Sequence, residues 1–308
     1  ASGFNSTQVS SLSAAQLAVN AIRQQLGLMP GIKPVTPDPA RKLLERTDFM
    51  QAHLDSPAVP GPVGHGWTQA NVDSGQTWWT ADLTPYLRVF GLDTCNLAAG
   101  ADGAVPQDQF TWLQGQLEQC QAQNILAIVC SHHNSLTLEN DAKPVWGGQP
   151  LIHAEEFISM LQQYPVLIAW LNGHTHINTI TPHPKQGGGG FWEITTASCV
   201  DFPQQQQLID LVDNRDGTIS FFVTAIDHAA PPTWTPGDLS QVGLASLSRE
   251  LAANAFLNRP TLRTGSPLDR NVELLMPAPF DLSAITDADV EAQQMKAKAQ
   301  LTAHGGAA

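Results

Sequence analysis

Two short apolar runs dominate the middle of the chain, Ile125–Cys130 and Val166–Leu171, each bounded by polar or turn residues. Runs of that length are too short for helices, so the pattern predicts two buried strands. Ahead of them, Tyr86–Asp93 reads as a third strand. Phe110, Leu113, Leu117 and Cys120 then fall on one stripe of an amphipathic helix over 106–123. Residues 86–130 thus form one β-α-β unit, whose crossover implies parallel strands. A short helix over His153–Gln163 leads into the second run, after a surface loop at Lys143–Pro150. Past residue 176 the spacing changes to consecutive strands, Ile177–Thr181, Phe191–Ala197, Gln207–Val212 and Thr218–Ile226. Asn214-Arg215-Asp216-Gly217 is a hairpin turn signal. Gly187–Gly190 reads as a flexible link, because no Lys-Ser/Thr and no helix follow it as in a phosphate loop. Alternating strands and helices followed by an antiparallel run predict an α/β protein with a mixed sheet.

The flanks add helices. Ala14, Leu17, Ala18, Ala21, Ile22 and Leu26 recur at helical spacing, and Asp38–His53 reads as a second helix between prolines. Residues 61–84 are expected to be a long loop rich in glycine and aromatics, with the Trp78-Trp79 pair serving packing. From Ala229-Ala230-Pro231-Pro232 a linker-like passage leads to a helix over Leu239–Leu257, an edge strand at Val272–Met276 and helical composition over 282–303, with a frayed end. This divides the chain into a domain over 1–228 and an extension over 229–308 that packs on it.

Composition narrows the function classes. The chain has 308 residues, 42% hydrophobic and 14% charged, which describes a globular protein able to bury a sizeable core. A net charge of −13 without a basic run argues against a nucleic-acid surface. No apolar run approaches the ~18 residues of a membrane span. The four cysteines lack CxxC spacing; Cys130 and Cys199 flank strands and read as buried thiols, and one disulfide is compatible with the count. Asn5-Ser6-Thr7 matches an N-glycosylation sequon by pattern only. Oligomeric state is not legible.

Chemistry gathers at the ends of the two apolar runs. The first spills into Ser131-His132-His133-Asn134, the second into Asn172-Gly173-His174-Thr175-His176. Ligands of open α/β sheets sit at the carboxyl ends of strands. In extended backbone His174 and His176 would share a face, with Gly173 allowing a tight turn before them. Imidazole is the commonest metal ligand, and two histidine groups after two strands favour metal binding over a structural role. His65, between two glycines, is either a residue that reaches this site or an exposed loop histidine. Asp93, at the end of its strand, is a further possible ligand.

These motifs resemble the last two metal motifs of the calcineurin-like metallophosphoesterases. Leu92-Asp93-Thr94, Gly103, Gln109-Phe110-Thr111-Trp112-Leu113 and Phe191–Ser198 extend the resemblance over roughly 85–228, toward the branch of the class III cyclic-nucleotide phosphodiesterases. The resemblance implies an αββα sandwich of mixed sheets and a dinuclear centre of two divalent or trivalent ions, Mn, Fe or Zn. It also implies hydrolysis of a small-molecule or lipid-like phosphoester by a metal-bound hydroxide. His132 and His174 would hold one metal and His176 the other. His133 would be a neighbour with a catalytic assisting role, His65 a second candidate for that role, and Asp93 a supporting residue.

The chain departs from the family in one respect. Asp-x-His and Asn-His-Asp are absent, and the one Gly-Asp, Gly237-Asp238, follows the histidine motifs rather than preceding them. The resemblance therefore implies the carboxyl-terminal part of such an enzyme, with poor activity and weak metal binding by these residues alone. Relatives with a twin-arginine signal suggest export of the parent, which the residues do not decide. A non-catalytic metal-binding or interaction module remains the alternative. A serine or thiol hydrolase is disfavoured, because no Gly-x-Ser-x-Gly elbow occurs and Cys130 lies within a strand.

Overall fold

The computed structural model describes residues 38, 40–41, 44–56, 63–98, 100–143, 148–255 and 263–303. The helix expected over 14–26, the sequon and the chain end beyond 303 lie outside them. The largest element is a six-stranded sheet in the order β1-β2-β4-β6-β8-β7. Its strands are β1 (Trp79–Thr84), β2 (Leu87–Gly91), β4 (Leu126–Cys130), β6 (Leu167–Asn172), β7 (Thr179–Pro184) and β8 (Gly190–Thr195). The short strands β3 (Val105–Pro106) and β5 (Leu151–Ile152) pair separately.

The two apolar runs are neighbours, as expected: β4 pairs parallel with β6, β2 parallel with β4, and β6 parallel with β8. Antiparallel strands β1 and β7 close the two edges. Both faces of the central strands are covered, which is why they read as continuous apolar runs rather than alternating ones. Over one face lie α3 (Gln107–Gln123) and α4 (Ala154–Leu161), where Leu113, Leu117, Phe157 and Leu161 pack on Phe90, Val129, Leu167 and Trp170. Phe157 meets Trp170 edge-on at 5.2 Å.

Over the other face lies a second sheet, as a two-sheet sandwich requires, but the structure corrects the local reading that added the late strands to the mixed sheet. Strands β9 (Gln205–Asp213) and β10 (Thr218–Asp227) do not extend the mixed sheet; they form a separate antiparallel sheet with β11 (Val272–Pro277). Side-chain alternation decides this. Ile219, Phe221, Val223, Leu274 and Met276 face inward against Val89, Ile128, Ile168 and Ile194 of the first sheet. Leu208 and Val212 of β9, with Phe222 and Leu275 between the inward residues of β10 and β11, remain exposed. Among the described residues a helical layer, the mixed sheet and the antiparallel sheet thus stack in that order.

The segment expected to be a loop over 61–84 also carries structure. It contains a 3-10 turn at Val63–Gly66, the short helix α2 (Gln69–Ser74) and the strand β1. The preceding helix, α1 (Arg46–Asp55), begins later than the prolines suggested. Gly187–Gly190 is the turn of the β7–β8 hairpin, where Lys185 N–H bonds to the Gly189 carbonyl at 3.0 Å, rather than a free link. Carboxyl-terminal helices are α5 (Gln241–Asn254) and α6 (Asp287–Ala303). The four cysteines are free thiols, and Cys199 is exposed, contrary to expectation. Burial pushes the Cys130 thiol up to about 11. No helix among the described residues is long and apolar enough to cross a membrane.

Candidate metal centre

Because β4 and β6 run parallel and adjacent, the loops that follow them leave the same end of the sheet. The ladder continues one step past the strands: Ser131 N–H bonds to the Leu171 carbonyl and Gly173 N–H to the His132 carbonyl, each at 3.0 Å. These bonds bring His132 and His174 together, with His132 Nε2 3.0 Å from His174 Nδ1 and the rings nearly perpendicular. The His133 ring lies 4.5 Å from that of His174. One donor atom from each of His132, His133 and His174 falls within 4.8 Å of the others, a group able to hold a metal ion.

The three imidazoles are not equivalent. His133 is buried, with Nδ1 2.7 Å from Thr94 Oγ1 and Nε2 2.9 Å from the Ala101 carbonyl. A carbonyl only accepts, so Nε2 carries the proton and Nδ1 takes the Thr94 hydroxyl. Both nitrogens are thereby used within the protein. Gly103 makes this seat possible, since a Cβ there would overlap the His133 ring. His132 is exposed and His174 half-buried, and they carry the nitrogens that face each other. Desolvation and the neighbouring histidines push both pKa values down. The neutral imidazole thus favoured is the form that ligates metal. Nitrogen donors of this kind fit a transition ion such as Zn, Mn or Fe.

His176 lies apart from that group. Its Nδ1 is 2.6 Å from Asp201 Oδ2, and Arg263 Nη1 donates to the same oxygen at 2.7 Å. The backbone is not extended here, which corrects the shared-face expectation. His174 and His176 both adopt left-handed conformations, φ 69° and φ 57°. Non-glycine residues rarely do so, and such strain gathers at functional sites. Gly173 does not make the turn: its φ is not left-handed, and a Cβ on it would meet only ordinary contacts.

Asp93 is fully engaged elsewhere. Its carboxylate accepts from Arg46, from Thr77 Oγ1 at 2.6 Å and from Cys95 N–H at 3.0 Å, tying α1 to the end of β2. His65 sits in the 3-10 turn with φ 49° and meets the His53 ring edge-on at 5.9 Å. Among the described residues no ring contact joins His65 to His132, His133 or His174.

Glu193, which the sequence reading passed over, joins the two histidine loops. It is 1% exposed on β8. Oε1 accepts from Ser135 N–H at 2.8 Å and from Asn172 Nδ2 at 2.9 Å, while Oε2 is 2.7 Å from His183 Nε2. One buried carboxylate thus pins the loop after His132 to the strand end before His174. A lone acid within the apolar run Phe191-Trp192-Glu193-Ile194 was the signal available. Asp201 and Arg263 gave none, since neither has a telling spacing to His176.

No protein-family model matches the chain, and no curated protein matches it. Among solved structures it is similar to a dimetal phosphatase from Danio rerio, at 12% identity and a TM-score of 0.36. That superposition covers 49% of this chain and 58% of the phosphatase.

Proposed function

We propose that the chain carries the histidine side of a dinuclear centre in a metal-dependent phosphoester hydrolase. In this reading His132 and His174 hold one cation and His176 contributes to the other. The observation that carries it is the approach of His132 and His174 to 3.0 Å from the ends of two separate parallel strands. Sequence proximity cannot produce that approach, and the lowered pKa values keep both rings ready to donate. Bound there, Mn, Fe or Zn ions supply Lewis acidity toward a phosphoryl oxygen and activate water. The residues of the chain orient the donors: Glu193 sets the two loops, and Thr94 with the Ala101 carbonyl holds His133 beside the pair without releasing either nitrogen. The proposed substrate is a small-molecule or lipid-like phosphoester.

The test separates binding from turnover. Co2+ titration followed by visible absorption is expected to give saturable, weak binding of two equivalents, the first of which His174→Ala abolishes, because tight transition-metal sites use three or four protein ligands. With Mn or Zn, hydrolysis of bis-p-nitrophenyl phosphate by these 308 residues should be slow or undetectable. A longer chain with Asp-x-His, Gly-Asp and Asn-His-Asp motifs upstream should turn over, and lose most activity on His174→Ala. Binding unaffected by His174→Ala would refute the metal site. Metal binding without turnover in the longer chain would identify a non-catalytic metal-binding module instead.

A further inference from the structure

His176 follows His174 by two positions, yet its imidazole is turned toward a carboxylate from a different part of the chain. Asp201 lies in the loop between β8 and β9, and Arg263 in the passage between α5 and β11. Asn178, two residues past His176, ties the segments that carry them to this point. Asn178 N–H donates to the Arg263 carbonyl at 3.1 Å, and Ala197 N–H donates to Asn178 Oδ1 at 2.8 Å. Three sequence-distant segments thus meet around one imidazole nitrogen.

The chemistry of that meeting fixes a proton. An ionised carboxylate only accepts hydrogen bonds, and so does the Asp201 oxygen that takes the Arg263 guanidinium. Arg263 Nη1 donates to Asp201 Oδ2 at 2.7 Å, so that oxygen is an acceptor. His176 Nδ1, 2.6 Å from that oxygen, must therefore be the protonated nitrogen. In a neutral imidazole the lone pair then belongs to Nε2. Carboxylates that hold the far nitrogen of a ligating histidine orient the ring and raise its basicity.

We propose that Asp201, braced by Arg263, is a positioning residue that fixes His176 as its Nδ1–H tautomer and presents Nε2 to the second cation. This rests on the metal-centre reading given above, but its first half is measurable without metal. Long-range proton–nitrogen NMR at alkaline pH, with His176→Gln used to assign the signal, reads the tautomer directly. The Nδ1–H form is expected in the native chain, with a shift toward the Nε2–H form in Asp201→Ala. Both Asp201 and Arg263 are partly exposed, so that variant is expected to fold. In Co2+ titrations Asp201→Ala should weaken the second equivalent by about 10–100-fold and leave the first unchanged. Asp201→Asn, which keeps an acceptor, should restore part of the loss. An Nε2–H tautomer in the native chain, or an Asp201→Ala variant with unchanged tautomer and unchanged second-site affinity, would overturn the proposal. An Nδ1–H tautomer without any Co2+ binding would instead overturn the metal-centre reading, and with it the ligand role assigned to His176.

Discussion

At the scale of single residues, the site depends on side chains that themselves bind nothing. Gly103 gives up a side chain so that His133 can be seated between Thr94 and the Ala101 carbonyl. Gly103→Ala should therefore cost about 1–3 kcal/mol through overpacking, measured by urea unfolding. An unchanged midpoint would mean that the ring moves freely. Glu193 makes a pH prediction. Burial works against its charged form, but bonds from His183, Ser135 and Asn172 outweigh it and hold the carboxyl below the usual range. A folded pKa below the unfolded value of about 4.3 means that the carboxylate stabilises the fold above that pH. This contribution fades as the pH falls through the lower, folded value. Glu193→Gln should cost about 2–4 kcal/mol at neutral pH. The gap between variant and native protein should narrow in acid. A gap that stays constant with pH would mean that the charge contributes nothing.

At the scale of elements, β6 couples the core to the histidines. Trp170 is fully buried, packs edge-on against Phe157 and donates from Nε1 to Ser131 Oγ at 2.8 Å. Ser131 Oγ in turn donates to the His133 carbonyl at 2.7 Å. Trp170→Phe keeps most of the apolar volume and removes the first link of that chain. It is expected to cost about 1–2 kcal/mol and to weaken Co2+ binding at the His132–His174 pair. Phe157→Ala, which opens a larger cavity beside Trp170 without touching Ser131, should cost about 3–5 kcal/mol and spare the affinity of the protein that stays folded. Equal effects on affinity would show that the hydrogen-bond relay is irrelevant.

At the scale of the whole molecule, the second sheet is the exposed element. Its outward side chains include Leu208, Phe222 and Leu275, the last 56% exposed. Edge strands with open backbone groups and an apolar face invite association. The net charge of −13 opposes it by long-range repulsion, which salt screens. Sedimentation velocity should therefore detect self-association that grows with ionic strength, and Phe222→Lys with Leu275→Lys should reduce it. A monomer at all salt concentrations would mean that the face is adequately solvated.

Local patterning by itself determined the inner strands of the central sheet, the amphipathic α3 and the placement of the candidate histidines at strand ends, but not the edge strand β1, which fell within the expected 61–84 loop. Each of these depends on periodicity or on residue types close together in the chain. The apolar runs at 125–130 and 166–171 had to be buried on both sides, and a β-α-β spacing had to make them parallel. What the chain could not disclose was set by contacts between distant segments. Strands β9 and β10 left the mixed sheet because their inward residues meet those of β2, β4, β6 and β8 across a second core, and no local signal distinguishes one sheet from two. His176 turned toward Asp201 because a loop 25 residues away supplies the carboxylate, and Arg263 arrives from 87 residues away to brace it. Alternation along a strand tells which side chains point together; only the packed molecule decides what they meet.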